Sequence, residues 1–131
     1  MIVTFFDRED ETNHLSRTVI GDNDRLFQIL EGLRNRLPFF CELVGENGFH
    51  LMVGVGEMGC VQYSRCDGTP PHLVAIADSQ QLPDGYSEFL INGTPTPVPN
   101  RFCMPFDSIL EIVGYFRETG RAHPECKWEE I

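Results

Sequence analysis

The stretch GVGEMGCVQYS, Gly54 to Ser64, decides the fold class. Gly54-x-Gly56-x-x-Gly59 is a literal match to the glycine fingerprint of dinucleotide-binding enzymes, in which a strand runs into a helix whose free amides meet a pyrophosphate. Here Gly59 is followed by Cys-Val-Gln-Tyr-Ser-Arg, which alternates apolar and polar residues as a half-buried strand does. The glycines therefore join strand to strand. Gly56 and Gly59 are expected to permit a tight turn, and Gly54 a bulge or a close backbone approach.

The same texture continues on both sides of this hairpin. From Pro38 to Ile91, FFCELV, FHLMVGV, GCVQYSR, HLVAIA and YSEFLI are strand-length runs rich in Phe, Val, Ile and Tyr. Turn signals separate them, among them the Asn-Gly of ENG. MIVTFF and SRTVI read as two strands at the start, ECKWEEI as the last strand, and RFCMP as an edge pairing. NGTPTPVPN, with Pro95, Pro97 and Pro99, cannot be a central strand.

Helical spacing occurs only near the two ends. Asp22 or Asn23 can cap a helix running to about Arg36, with Leu26, Leu30, Leu33 and Leu37 on one face and Pro38 as the stop. A second helix is expected from Phe106 or Asp107 to Thr119, with Ile109, Ile112, Val113 and Phe116 inward and Gly120 as a left-handed cap. A doubly wound fold needs strand and helix to alternate along the chain, which they do not. The expectation is one α+β domain over residues 1–131: a mostly antiparallel, curved sheet of six to eight short strands, with two helices packed on one face.

Composition bounds the chemistry. Ten Lys plus Arg against twenty Asp plus Glu give a net charge of −10, a field that repels nucleic acid and anionic membranes and attracts basic partners. Nine of the ten basic residues are Arg, and Lys127 is the single lysine, which favours fixed ion pairs over a diffuse basic patch. The five cysteines, Cys41, Cys60, Cys66, Cys103 and Cys126, are odd in number and irregularly spaced, and MIVTFFDRED turns acidic too early for a secretory leader. A reducing, cytoplasmic setting is expected, with most thiols serving as small buried hydrophobes.

No local arrangement calls for an enzyme or a cofactor. His14, His50, His72 and His123 form no metal-ligand spacing with one another or with the cysteines. Cys66, in SRCDG, is the thiol expected to be most exposed, and Ser64 lacks a nucleophile-elbow context. Glu129 and Glu130 adjoin on a strand and so point to opposite faces.

Four features in order carry a resemblance: the glycine-marked strand pair LMVGVGEMGCVQYS, the Asn-Gly turn with prolines in FLINGTPTPVPN, a helix closing in FRETG, and the tail RAHPECKWEEI. Together they resemble immunity protein family 1 of bacterial polymorphic toxin systems, over roughly residues 49–129. The resemblance implies a non-enzymatic antidote that binds and blocks a cognate toxin domain, with a nucleic-acid deaminase as the first-named toxin and a nuclease as the alternative. Gly54, Gly56, Gly59, Asn92, Gly93, Gly120 and Trp128 are better explained by turns and core than by binding. Loop residues are the expected contacts with a basic toxin: Glu46, Glu57, Met58, Asp67, Asp78 and Asp84, with Glu9 to Glu11 beside them. Two other readings stand open, a small hydrolase or thiol enzyme using Cys66 or a histidine, and an acidic chaperone or adaptor for a secreted effector.

Overall fold

The computed structural model describes all 131 residues. Its centre is an antiparallel meander of β3 (Phe39–Gly45), β4 (Phe49–Val55) and β5 (Met58–Arg65). Each outer edge of this meander is shared by two strands placed end to end. Along β3, β1 (Val3–Asp7) pairs with Cys41 to Gly45, and β7 (Tyr86–Ile91) joins in parallel at Phe39. Along β5, β6 (His72–Ile76) pairs with Gln62 to Ser64, and β9 (Met104–Pro105) with Met58 and Gly59. The sheet is completed by β2 (Thr18–Ile20) on β1, β10 (Lys127–Glu130) on β6, and β8 (Thr94–Pro99) on β7.

Ten strands thus form an open, curled sheet where six to eight were expected. Thr94–Pro99 is one addition: its three prolines fall at alternate positions, so their missing N–H groups all lie on one side, and β8 pairs only with β7. Proline confines this segment to an edge without abolishing it. Met104–Pro105, two residues long, is the edge pairing expected of RFCMP.

Both helices lie on one face. α1 (Asn23–Leu33) begins at Asp22, whose carboxylate accepts from the Arg25 amide at 2.8 Å, and it buries Leu26, Ile29, Leu30 and Leu33. α2 (Phe106–Thr119) ends at Gly120, whose left-handed φ of 73° lets its amide donate to Phe116 O. Between these helices and the sheet, Val3, Phe5, Phe39, Leu43, Leu51, Val53, Val61 and Phe116 form the main core. A smaller core on the opposite face gathers Phe40, Cys60, Phe89, Val98 and Phe102 under the β7–β8 hairpin.

α1 stops at Leu33, three residues before the expected end at Arg36. Pro38 disfavours helical backbone at Leu37, and the chain must swing into β3 at Phe39. Leu37 therefore leaves the apolar helix face on which its spacing placed it, and its side chain is 75% exposed.

The glycine fingerprint joins β4 to β5, with Gly56 and Glu57 between them. None of Gly54, Gly56 and Gly59 has a positive φ, so the turn does not draw on left-handed freedom as expected for Gly56 and Gly59. Two of them serve close approach. A Cβ on Gly54 would lie 2.6 Å from Cys60 Sγ and 2.8 Å from the Phe89 ring, and one on Gly59 would collide with Gly54 O and lie 2.9 Å from Ile109. At Gly56 the neighbours, Met58 O and Pro38, stand at 3.2 to 3.4 Å, which is tight without collision. Asn92 and Gly93, with φ of 48° and 77°, do form a left-handed pair in the β7–β8 turn. Trp128 sits at the margin of the core on β10, half-buried, donating its indole N–H to His123 O at 2.9 Å.

Candidate partner-binding surface

Strand register divides the predicted contact residues between two ends of the sheet. Glu46 lies in the β3–β4 turn and Asp67 in the β5–β6 turn, and a hydrogen bond from Cys66 N to Gly48 O ties these turns together at one end. Glu57 lies at the other end, in the β4–β5 turn, and Met58 opens β5 beside it. Asp78 follows β6 toward that same end, and Asp84 belongs to the loop leading into β7. They do not form one patch.

Several of these acids have local duties. Glu46 accepts from the Ile2 amide at 2.8 Å, and Asp84 from the Gln80 side chain at 3.1 Å. Asp67 accepts from both the amide and the hydroxyl of Thr69, and those bonds hold its carboxyl below the ordinary range. Met58 is half-buried against the smaller core, so Glu57 is the exposed member of the hairpin tip. That tip is also fixed: Glu57 O accepts from Phe106 N at 3.1 Å, where α2 begins.

The acidic loop after β1 is shaped from within. Asp7 continues the inward series Val3, Phe5, Asp7 and is fully buried. One carboxylate oxygen accepts from the amides of Glu9 and Asp10, and the other from Asn13 Nδ2 at 2.9 Å and the Arg36 guanidinium at 2.7 Å. Burial pushes the carboxyl up, but these donors outweigh it and hold the group below its ordinary value. Arg36 in turn lies over the Phe39 ring at 4.0 Å. Its charge is thereby spent on an internal carboxylate, while exposed Asp10 accepts from the Thr12 amide and hydroxyl and half-buried Glu9 accepts from the Gly93 amide at 2.9 Å.

Beside this loop the surface carries apolar residues that no sequence pattern marked. Leu37 and Tyr86, 75% and 70% exposed, are the two most exposed large hydrophobic residues of the molecule. Two depressions flank the turn from Arg34 to Pro38 and share Arg36 in their walls. One, of about 670 Å³, is edged by Glu57, Met58, Leu82 and Glu88. The other, of about 650 Å³, is edged by Glu9, Asp10, Leu33, Leu37 and Leu90. Leu37 escaped notice because four-three-four spacing counted it as core, and Glu88 because it lies within a strand.

On the opposite, open face of the sheet, Glu42 bridges Arg8 at 2.6 Å and His50 at 2.8 Å. Both carboxylate oxygens of Glu42 are thereby satisfied within the fold. Elsewhere the thiols are poor nucleophiles as folded. Burial raises Cys41, Cys60 and Cys103, and burial together with neighbouring carboxylates raises Cys66 and Cys126. No imidazole hydrogen-bonds a thiol: His72 faces Ser64 and Gly68 O, and His123 Nδ1 accepts from the Glu125 amide. No helix is long and apolar enough to cross a membrane.

Comparison with curated proteins finds no match to this chain. The family model described as Immunity protein Imm1 matches residues 13–130, nearly the whole chain. That span takes in the central meander, both helices, the Asn92–Gly93 turn and the Trp128 strand, which places all four of the resembling stretches, but for the last residue Ile131, inside a single match. The chain belongs to the Imm1 immunity protein family.

Proposed function

We propose that this protein is a cytoplasmic, non-enzymatic antidote that binds a cognate bacterial toxin domain and occludes its active site, the toxin being a nucleic-acid deaminase or, failing that, a nuclease. The observation that carries the reading is the immunity-family match over residues 13–130. The net charge of −10 supports the choice of toxin chemistry. An enzyme that acts on DNA or RNA must attract phosphates, so its active-site surroundings are basic. An acidic protein finds such a surface quickly and competes for the space of the phosphates.

The test is expression of the neighbouring open reading frame in the cytoplasm, alone and together with this protein. Growth arrest by the neighbour alone, relieved by co-expression, is the expected result. A neighbour harmless by itself contradicts the antidote reading. A complex in which the partner keeps its full activity replaces it with an adaptor role.

A further inference from the structure

We infer that the toxin docks on the surface centred at the Arg34–Pro38 turn, with Leu37 and Tyr86 as apolar anchors and Glu9, Asp10, Glu57 and Glu88 as the carboxylates that receive its basic side chains. The inference rests on the immunity reading and adds to it the surface that performs the binding. Its starting point is that Leu37, the most exposed large hydrophobic, edges one depression, while Tyr86, the second, stands two residues along β7 from Glu88 at the edge of the other. Side chains alternate along a strand, so Tyr86, Glu88 and Leu90 share one face of β7. Glu88 edges one depression and Leu90 the other, which sets Tyr86 on the same side of the molecule as the turn that carries Leu37.

The fold itself has no use for these two side chains. The turn is held by backbone bonds, Arg36 N to Leu33 O at 3.2 Å and Leu90 N to Pro38 O at 2.8 Å. Leu37 adds nothing to them and exposes apolar area in the middle of a charged surface. Partially exposed aliphatic and aromatic side chains surrounded by polar residues are the composition of an interface centre and its rim.

Charge decides the occupant. Of the two arginines in the depressions, Arg36 is neutralised by buried Asp7, and Arg34, held over the Phe106 ring at 4.2 Å, keeps its charge but is outnumbered by Glu57 and Glu88. Around the apolar ridge the Glu57 and Glu88 carboxylates are unpaired, and those of Glu9 and Asp10, bonded to the Gly93 amide and to Thr12, keep one oxygen each for a partner. The complementary surface is a basic one with an apolar hollow: Leu37 enters the hollow, and lysines or arginines enter the depressions on either side. A second acidic copy of this chain does not fit that description.

The experiment measures binding of the purified toxin domain encoded by the neighbouring open reading frame to the full-length protein and its variants. Leu37→Asp is expected to weaken binding by about 30-fold or more, as for a central anchor, with the thermal transition unchanged because the side chain is solvent-facing. The pair Glu57→Lys and Glu88→Lys is expected to slow association at low salt by about 10-fold. The pair Glu46→Lys and Asp67→Lys, which changes net charge equally at the far end of the sheet, is expected to slow it much less. Wild-type binding by Leu37→Asp, or equal effects from the two charge pairs, overturns the inference and leaves the antidote reading intact. A wild-type protein that neither binds nor neutralises the neighbour removes both.

Discussion

The carboxylate of Asp7 has no exposed surface, yet it is the point to which the loop that follows β1 is tied. Replacing it by Asn preserves its size but removes the charge that compensates Arg36. Asp7→Asn is therefore expected to cost about 2 kcal/mol, below the range for fully buried pairs because the Arg36 side chain is partly exposed. A shift of the denaturant midpoint corresponding to less than about 0.5 kcal/mol would show the network to be dispensable. The sign with pH follows from the lowered carboxyl. Its contribution is full above the ordinary aspartate value and is lost as pH falls through the depressed folded value, so the wild type gains over Asp7→Asn as pH rises out of the acid range. Gly59 is governed by space instead of charge. Gly59→Ala drives a methyl into Gly54 O and Ile109 and is expected to cost about 2 to 3 kcal/mol, whereas Gly56→Ala, with room of 3.2 Å or more, costs less than half of that.

At the scale of elements, strand identity was legible because alternation survives in β1 and along Cys41–Gly45, His50–Val53 and Val61–Ser64 of β3, β4 and β5, while nearer the β4–β5 turn both faces of the meander are buried. What was not legible depended on partners distant in sequence. β8 exists because β7 offers an edge to a proline-rich chain, and the edge pairing expected of RFCMP forms as β9, although only the fold shows that its partner is the start of β5. Gly59 looked like a turn residue since only the packed position of Ile109 reveals why a side chain is forbidden there. Leu37 marks the same limit, as a periodicity that fits the helix continues past the residue where the chain leaves it. Within α1, Gly32 is exposed and a Cβ there meets nothing within 4 Å. Gly32→Ala is expected to raise stability by about 0.5 kcal/mol through the restricted unfolded chain, read as an upward shift in melting temperature. A fall would place an unseen constraint at the end of the helix.

For the whole molecule, the candidate surface was only half legible. The loop acids were visible in the sequence and Glu88, within a strand, was not, and the division of the acids between two ends of the sheet required the register of β3, β4 and β5. The apolar centre was hidden, since an exposed leucine and an exposed tyrosine look like core until their neighbours are known. A net charge of −10 implies association steered over distances comparable to the screening length. Raising salt from low to physiological is expected to slow association with the toxin by about 10-fold while changing dissociation little; a flat salt profile would reject steering. The most direct measurement is the catalytic activity of the neighbouring toxin domain as this protein is titrated into it. Inhibition that is complete at one equivalent of protein is the predicted result, and full activity retained at saturating protein would contradict the account.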